Sequence, residues 1–407
     1  MAKTPSRLSD AELFDWLRLV RSENVGPRTF RALLDRYGGA RAALEALPEL
    51  ARRAGARRPI TLATQEQIER ELATGRRLGV RFVAINEPDY PPLLREIDSA
   101  PPLLACRGRS EALQQPMAAI VGSRNASAAG LAFADRLARG LGRAGYVVVS
   151  GLARGIDLRA HVASLETGTI GVLAGGHARI YPPEAVPIAP RIAEHGALVS
   201  EMPLEWEPRG RDFPRRNRIV SGLALGVVIV EAARGSGSLI TARFALDQNR
   251  EVFAVPGSPL DPGAEGANDL LREGAKICAR VDDVLSVLDP VRAQDPFAIF
   301  REDAPDASEP LWGELPLLGV DPEMAPRARP AQALDEAGGE VFGLSEGDAV
   351  AEVARLLGPS PISIDELAAV SGLPLRQVRA SVMMLDIAGR IEHSGGDRVA
   401  LLPEKGE

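Results

Sequence analysis

The 407-residue chain exceeds one typical domain, and its 45% hydrophobic fraction is enough to build more than one core. No apolar run approaches the roughly 20 residues of a membrane span, and two distant cysteines, Cys106 and Cys278, argue against a disulfide framework or a zinc site. The formal charge of −7 speaks against a polyanionic ligand only until it is mapped: residues 289–348 alone carry a balance of −10, whereas residues 1–288 are net basic.

MAKTPSRLSD leads into an amphipathic stretch without the pattern of a signal peptide, so a cytoplasmic protein with no membrane partner is expected. Residues 1–79 read as a helical domain. Leu13, Phe14, Trp16, Leu17 and Val20 follow a helical period, Asn24-Val25-Gly26-Pro27 breaks it, and two short helices come next around Gly38-Gly39. This suits a helix-hairpin-helix or sterile-alpha-motif-like unit, which either contacts phosphate through its turn amides, with Arg28 and Arg31 on one face, or only packs. Within residues 80–288, two short apolar strands first flank a proline-rich turn and read as a connector laid on the edge of the next domain.

From Ala118 a strand–loop–helix pattern repeats. Strands are expected at Ala118–Val121, Tyr146–Val149, Thr169–Leu173, Leu198–Val199, Val227–Val230 and Val252–Val255. Continuous apolar strands alternating with helices imply a mainly parallel sheet covered on both faces, hence an α/β, Rossmann-like doubly wound domain. Residues 289–348, with eight prolines, read as an acidic linker. Residues 349–407 carry helix, helix, turn, helix and two short strands, a winged helix-turn-helix pattern with Leu367, Val370, Leu373, Val378, Val382 and Leu385 as its core.

Three loops follow strands at the expected carboxyl edge of the sheet, where open α/β folds bind ligands. Gly122-Ser123-Arg124 combines an unhindered backbone, a hydroxyl and a cation. Gly151, Arg154 and Gly155 surround the second loop, in which Asp157 can cap a helix. Gly235-Ser236-Gly237-Ser238 opens a third helix, with Ser238 as its expected N-cap and Thr241 one turn on. Amide-rich turns with arginines among them suit phosphate, and an arginine-dense turn, Arg215, Arg216 and Arg218, stands nearby. No P-loop, dinucleotide fingerprint, metal-binding histidine pair or nucleophile elbow is present, so P-loop ATP hydrolysis, a dinucleotide or metal cofactor, and a hydrolase triad are not expected. His161 reads as a packed histidine. Glu231, ending an apolar strand, is either a partner for a loop arginine or the carboxylate of a nucleotide-processing hydrolase.

In order, VGSRNAS, SGLARGIDLRAH, TIGVLAGG with Tyr181-Pro182, FPRRNRIVSGL, VVIVEAARGSGSLITARFAL, FAVPG and EGANDLLREGAKIC resemble the DNA-processing protein A (DprA/Smf) family over residues ~80–288. The resemblance implies a non-enzymatic, homodimeric protein that binds single-stranded DNA, protects incoming DNA in natural transformation and helps load the RecA recombinase. Carried over residue by residue, it implies contacts from Gly122, Ser123 and Arg124, from Gly151, Arg154 and Gly155, from Pro214, Arg215, Asn217 and Arg218, from Gly237, Ser238 and Thr241, and from Lys276. With aromatics scarce, base stacking should contribute little, and Phe213 is its one nearby candidate. One departure is Pro183-Glu184-Ala185-Val186 after Tyr181-Pro182, where the family commonly has an asparagine and a basic residue. Another is Asn125 after Arg124, again in place of a basic residue. A transcription regulator acting through the winged helix is the other alternative, its recognition helix near Leu375–Ala388 offering Arg376, Gln377, Arg379 and Ser381.

Overall fold

A computed structural model describes residues 7–53, 59–293, 346–357, 362–387, 391–393 and 398–401, which fall into two units, one within residues 1–325 and one within residues 326–407. Four helices open the first unit: α1 (Asp10–Arg21), α2 (Pro27–Tyr37), α3 (Ala40–Arg53) and α4 (Gln65–Leu78). Local causes set three of the starts. Ser9 and Glu12 form a reciprocal capping box on α1, Thr64 and Gln67 do the same on α4, and Pro27 takes the first position of α2, where no amide partner is needed. Trp16 meets Phe30 edge-on at 4.9 Å between ring centroids in the core these helices build.

Then come β1 (Val80–Ala84), α5 (Pro92–Arg95), β2 (Leu103–Gly108), β3 (Met117–Gly122), α6 (Ala128–Arg143), β4 (Val147–Ser150), α7 (Ile156–Ser164), β5 (Thr169–Val172), α8 (Ala189–His195) and β6 (Ala197–Ser200). The chain continues through α9 (Asp212–Leu223), β7 (Gly226–Val230), α10 (Gly237–Asp247), β8 (Glu251–Ala254), α11 (Glu265–Arg272), β9 (Lys276–Ile277) and α12 (Val281–Ala293). The nine strands form one sheet in the order β1-β2-β6-β5-β4-β3-β7-β8-β9, parallel except for the pairings β1–β2 and β2–β6. The expected connector at residues 80–117 is therefore two strands of the sheet itself. Its prolines all lie outside the strands, five between β1 and β2 and Pro116 just before β3, so they cost neither β1 nor β2 a ladder amide.

Alternation within the strands explains the two-sided cover. Met117, Ala119 and Val121 of β3, with Val227 and Ile229 of β7, pack against one helical layer that includes Ile219, Val220 and Leu223 of α9. Ala118 and Ile120, with Val228 and Val230, pack against the other, built from Leu137 and Leu141 of α6, Ile156 and Ala160 of α7 and Leu288 of α12. The N-terminal helices share a core with Val80, Phe82 and Ala84 of β1, and Leu204. Arg21 fixes this junction, paired with Glu71 at 2.8 Å and donating to the Glu201 carbonyl at 2.9 Å.

The second unit contains α13 (Glu346–Leu356), β10 (Ile362–Ser363), α14 (Ile364–Ser371), α15 (Leu375–Ile387), β11 (Ile391–His393) and β12 (Arg398–Leu401), its strands ordered β10-β12-β11. Leu367, Val378, Val382 and Leu385 are buried in its core and Leu373 packs against it, while the Val370 side chain lies outside the described residues. Ser381 is also buried, so it does not offer itself to a groove as expected: its face of α15 turns inward. Of the stretch read as linker, residues 289–293 extend α12 and residues 294–345 lie outside the described residues.

Candidate functional site

The chain runs from β3 outward through β4, β5 and β6, then returns to place β7 on the other side of β3. Such a reversal leaves a crevice at the carboxyl ends of the two central strands. A cavity of about 450 Å³ opens there. Gly122, Ser123 and Arg124 line it from the β3 end, Gly151 and Asp157 from the β4 side, and Gly237, Ser238 and Thr241 from the start of α10.

Two of the glycines serve packing. A Cβ on Gly122 would overlap the Val230 carbonyl, and one on Gly155, at φ +76°, would overlap the Ser123 carbonyl. Gly155 thus sits beneath the first loop, where the Ile156 amide donates to Ser123 O at 3.2 Å. Gly237 differs: a Cβ there would meet nothing within 4 Å, so its backbone stands open at the helix start. The N-cap of α10 is Ser236, not Ser238. Gly235, at φ +76°, turns the chain so that the cap falls two residues earlier than expected, and Ser236 Oγ accepts from the Ser238 amide at 3.4 Å.

Two buried opposite charges, Arg216 and Asp157, form the floor without meeting in an ion pair. Arg216, on α9, donates to the carbonyls of Gly151 and Val172. Asp157 accepts from the amides of Gly151 at 3.1 Å and Ala153 at 3.3 Å. Burial pushes the Asp157 carboxyl up to about 6, opposed by the Arg216 charge and the loop amides, and pushes Arg216 down to about 10. His161 lies close to this pair; burial first and Arg216 second push it down to about 3, and its Nδ1 lies 2.7 Å from Thr169 Oγ1. It is the packed histidine expected.

At the mouth, Arg124 is exposed and its guanidinium lies 5.4 Å from the Phe213 ring centroid. Phe213 also meets Tyr181 edge-on at 5.6 Å, and Tyr181 is 50% exposed. Sequence reasoning did not propose Tyr181 for the site, although the Tyr181-Pro182 step stood among the quoted motifs. Asn217 donates to Gly237 O at 3.1 Å, tying α9 to the start of α10.

Asp212–Leu223 is a helix rather than the expected turn, and this sorts its residues. Phe213, Arg216, Asn217 and Val220 follow a helical stripe and line the crevice; Arg215 and Arg218 face a different cavity, of about 750 Å³. Arg218 is only 2% exposed and pairs with Glu201 at 2.5 Å, so it is not at the crevice as expected. Arg215, half-buried, pairs with the same carboxylate at 3.2 Å. Burial alone would raise Glu201, but these two guanidiniums hold it below the ordinary carboxylate range. Lys276 is likewise elsewhere, on the edge strand β9 and paired with Glu251 at 2.6 Å. Arg154 is exposed beside the crevice, 3.8 Å from Glu184, one of the residues that depart from the family pattern. Glu231 pairs with no arginine among the described residues. It accepts from the Ser127 amide at 2.8 Å and from the Ser127 hydroxyl, holding the start of α6.

The profile described as DNA recombination-mediator protein A matches residues 81–289. A DprA-like N-terminal HHH domain matches residues 10–74 and a DprA winged helix domain residues 325–397. Protein Smf of a Synechocystis species is 30% identical over 414 residues, covering 96% of this chain and 99% of its own length. DNA processing protein DprA of Bacillus subtilis is 43% identical over 225 residues, covering 54% of this chain and 76% of its own. Among solved structures, DNA processing protein A of Streptococcus pneumoniae superposes with a TM-score of 0.58 at 32% identity, covering 69% of this chain and 99% of that one. Matched along nearly its whole length, the chain belongs to the DNA recombination-mediator protein A family.

Proposed function

We propose that the chain is a non-enzymatic recombination mediator that holds single-stranded DNA across the β3–β4–β7 crevice. As a cytoplasmic homodimer it would protect incoming DNA in natural transformation and deliver it to the RecA recombinase. The observation that carries this reading is the convergence of an open glycine backbone, a helix start and an exposed arginine on one switch-point crevice. Backbone amides and a helix N-terminus hold phosphate without reading sequence. The aromatic pair at the mouth gives bases a stacking surface, which favours an unpaired strand over a duplex. The Glu231 carboxylate, engaged at the start of α6, is a structural group in this reading.

A titration of single-stranded against duplex DNA at two salt concentrations tests the proposal. Single strands should bind more tightly, with an affinity that falls steeply with salt, each neutralised phosphate adding roughly −0.7 to the logarithmic slope. Arg124→Ala should weaken binding and flatten that slope by about one such unit. Equal affinity for both forms, or turnover of a nucleotide abolished by Glu231→Gln, would replace the binder with a duplex regulator or a hydrolase.

A further inference from the structure

The cavity on the far face of α9 is larger than the crevice, and the strand-binding reading does not use it. It lies between the N-terminal helices and the sheet, and its volume of about 750 Å³ falls within the range of small-molecule sites. Its walls are of two kinds. One is apolar: Val25, Pro27, Pro102, Leu103 and Met202, with the half-buried Trp206 held by a hydrogen bond from its indole nitrogen to Asp212 at 2.9 Å. The other is cationic, formed by Arg211, Arg215 and Arg218.

Two donor groups on the cationic wall are unspent. Arg218 is 2% exposed, and its Nη1 has no hydrogen-bond partner although Nη2 is paired with Glu201. A buried guanidinium nitrogen without an acceptor is costly. Arg211 is exposed and makes no ion pair among the described residues. The lining carboxylates are already engaged: Glu201 by Arg215 and Arg218, Asp212 by Trp206 and the Arg209 amide, and Glu23 by the Thr61 amide. The same cavity is lined by Gly26 and Pro27 at the start of the 11-residue α2, whose N-cap supplies no side-chain acceptor. An uncapped helix start and an unpartnered buried guanidinium both call for an anion.

We propose that this cavity binds a phosphate monoester of nucleotide size, with the phosphate on Arg211 and Arg218 and the apolar body against Pro27, Pro102 and Trp206. The chemistry is shared by a free nucleotide and by the phosphorylated end of a strand. Since α9 lines both cavities, occupancy here bears on Phe213, Arg216 and Asn217 on its other face, so the site is placed to modulate strand binding.

Calorimetry on the full chain tests this with dAMP, deoxyadenosine and oligo(dT) carrying either a 5′-phosphate or a 5′-hydroxyl. One dAMP should bind per chain, with deoxyadenosine at least tenfold weaker. Arg211→Ala, an exposed change that leaves the fold alone, should weaken dAMP at least fivefold, whereas Arg124→Ala should leave dAMP binding within twofold. The paired replacement Glu201→Gln with Arg218→Gln, which removes both buried charges together, should abolish dAMP binding. An Arg211-dependent preference for the 5′-phosphorylated strand assigns the site to strand ends; Arg211-dependent dAMP binding without that preference assigns it to free nucleotides. The proposal is overturned if dAMP does not bind at millimolar concentration and a 5′-phosphate adds nothing to oligo(dT) affinity, or if dAMP binding is lost with Arg124→Ala and kept with Arg211→Ala. That last pattern would put the nucleotide in the crevice and leave the strand-binding proposal standing.

Discussion

The two faces of α9 carry the same side chain in opposite electrostatic settings. Towards the crevice, Arg216 is buried against two carbonyls, within the field of the Asp157 carboxylate, so it supplies positive charge and rigidity from beneath. Towards the N-terminal helices, Arg215 and Arg218 share Glu201, and part of Arg218 remains without an acceptor. Neither face is a simple basic patch. Of the exposed cations lining the crevice, Arg234 is paired with Asp269 at 2.8 Å, whereas Arg124 comes from a loop and lies over an aromatic ring of the helix. A cluster of arginines in sequence is thus divided by helical geometry between scaffold and site.

The sharpest way to break this comparison is to remove the crevice-side arginine. Arg216→Ala removes the charged donor from the Gly151 and Val172 carbonyls and the nearby positive charge from buried Asp157, and stability in urea unfolding should fall by about 3–5 kcal/mol; a loss under about 1 kcal/mol would mean that Arg216 does not hold the floor of the site. Next come the glycines. Gly122→Ala should cost about 1–3 kcal/mol, because the new methyl overlaps Val230 O and the central strands must move apart. Gly237→Ala should change stability by less than about 1 kcal/mol, since its methyl enters open space at a helix start, and yet it should weaken strand binding. If the two alanines behaved alike, the distinction between packing glycine and site glycine would fail.

Asp157 gives a smaller effect with a defined sign. Its folded value, about 6, lies above that of an ordinary aspartate, so the ionised form burdens the folded state. This group's contribution to stability is therefore most favourable below the ordinary carboxylate range and declines as pH rises to about 6. A phosphate in the crevice should raise its value further, so strand affinity should climb a few-fold as pH falls from about 7 through about 6, and Asp157→Asn should flatten that profile. A profile unchanged by the substitution would detach Asp157 from the ligand. Smallest of all, Arg154→Ala should change stability by less than about 1 kcal/mol, because its partner Glu184 is exposed and 3.8 Å away.

The parallel strands were legible because each is a short apolar run bounded by small residues, and the glycine loops followed from their place after those strands, whereas the strand order that brings them together did not. Other features were hidden for identifiable reasons. DFPRRNRIV looks like a turn because proline and arginine dominate it, yet Pro214 lies in the first helical turn, where its missing amide costs nothing. Once the segment is helical, the three arginines cannot share a face. Lys276 sits in a matching motif, but its pairing with Glu251 depends on a neighbouring strand. Tyr181 comes to Phe213 from far upstream in the chain, a proximity that only the fold creates.

Photo-crosslinking tests the central claim most directly. An oligo(dT) bearing 5-iododeoxyuridine, bound to the full chain and irradiated, attaches to aromatic rings in contact with its bases. The crosslinked peptides should contain Tyr181 and Phe213, and their yield should fall with Arg124→Ala while persisting in Arg211→Ala. Crosslinks confined to residues 1–79 or 349–407, with none at Tyr181 or Phe213, would contradict the assignment of the crevice as the strand-binding site.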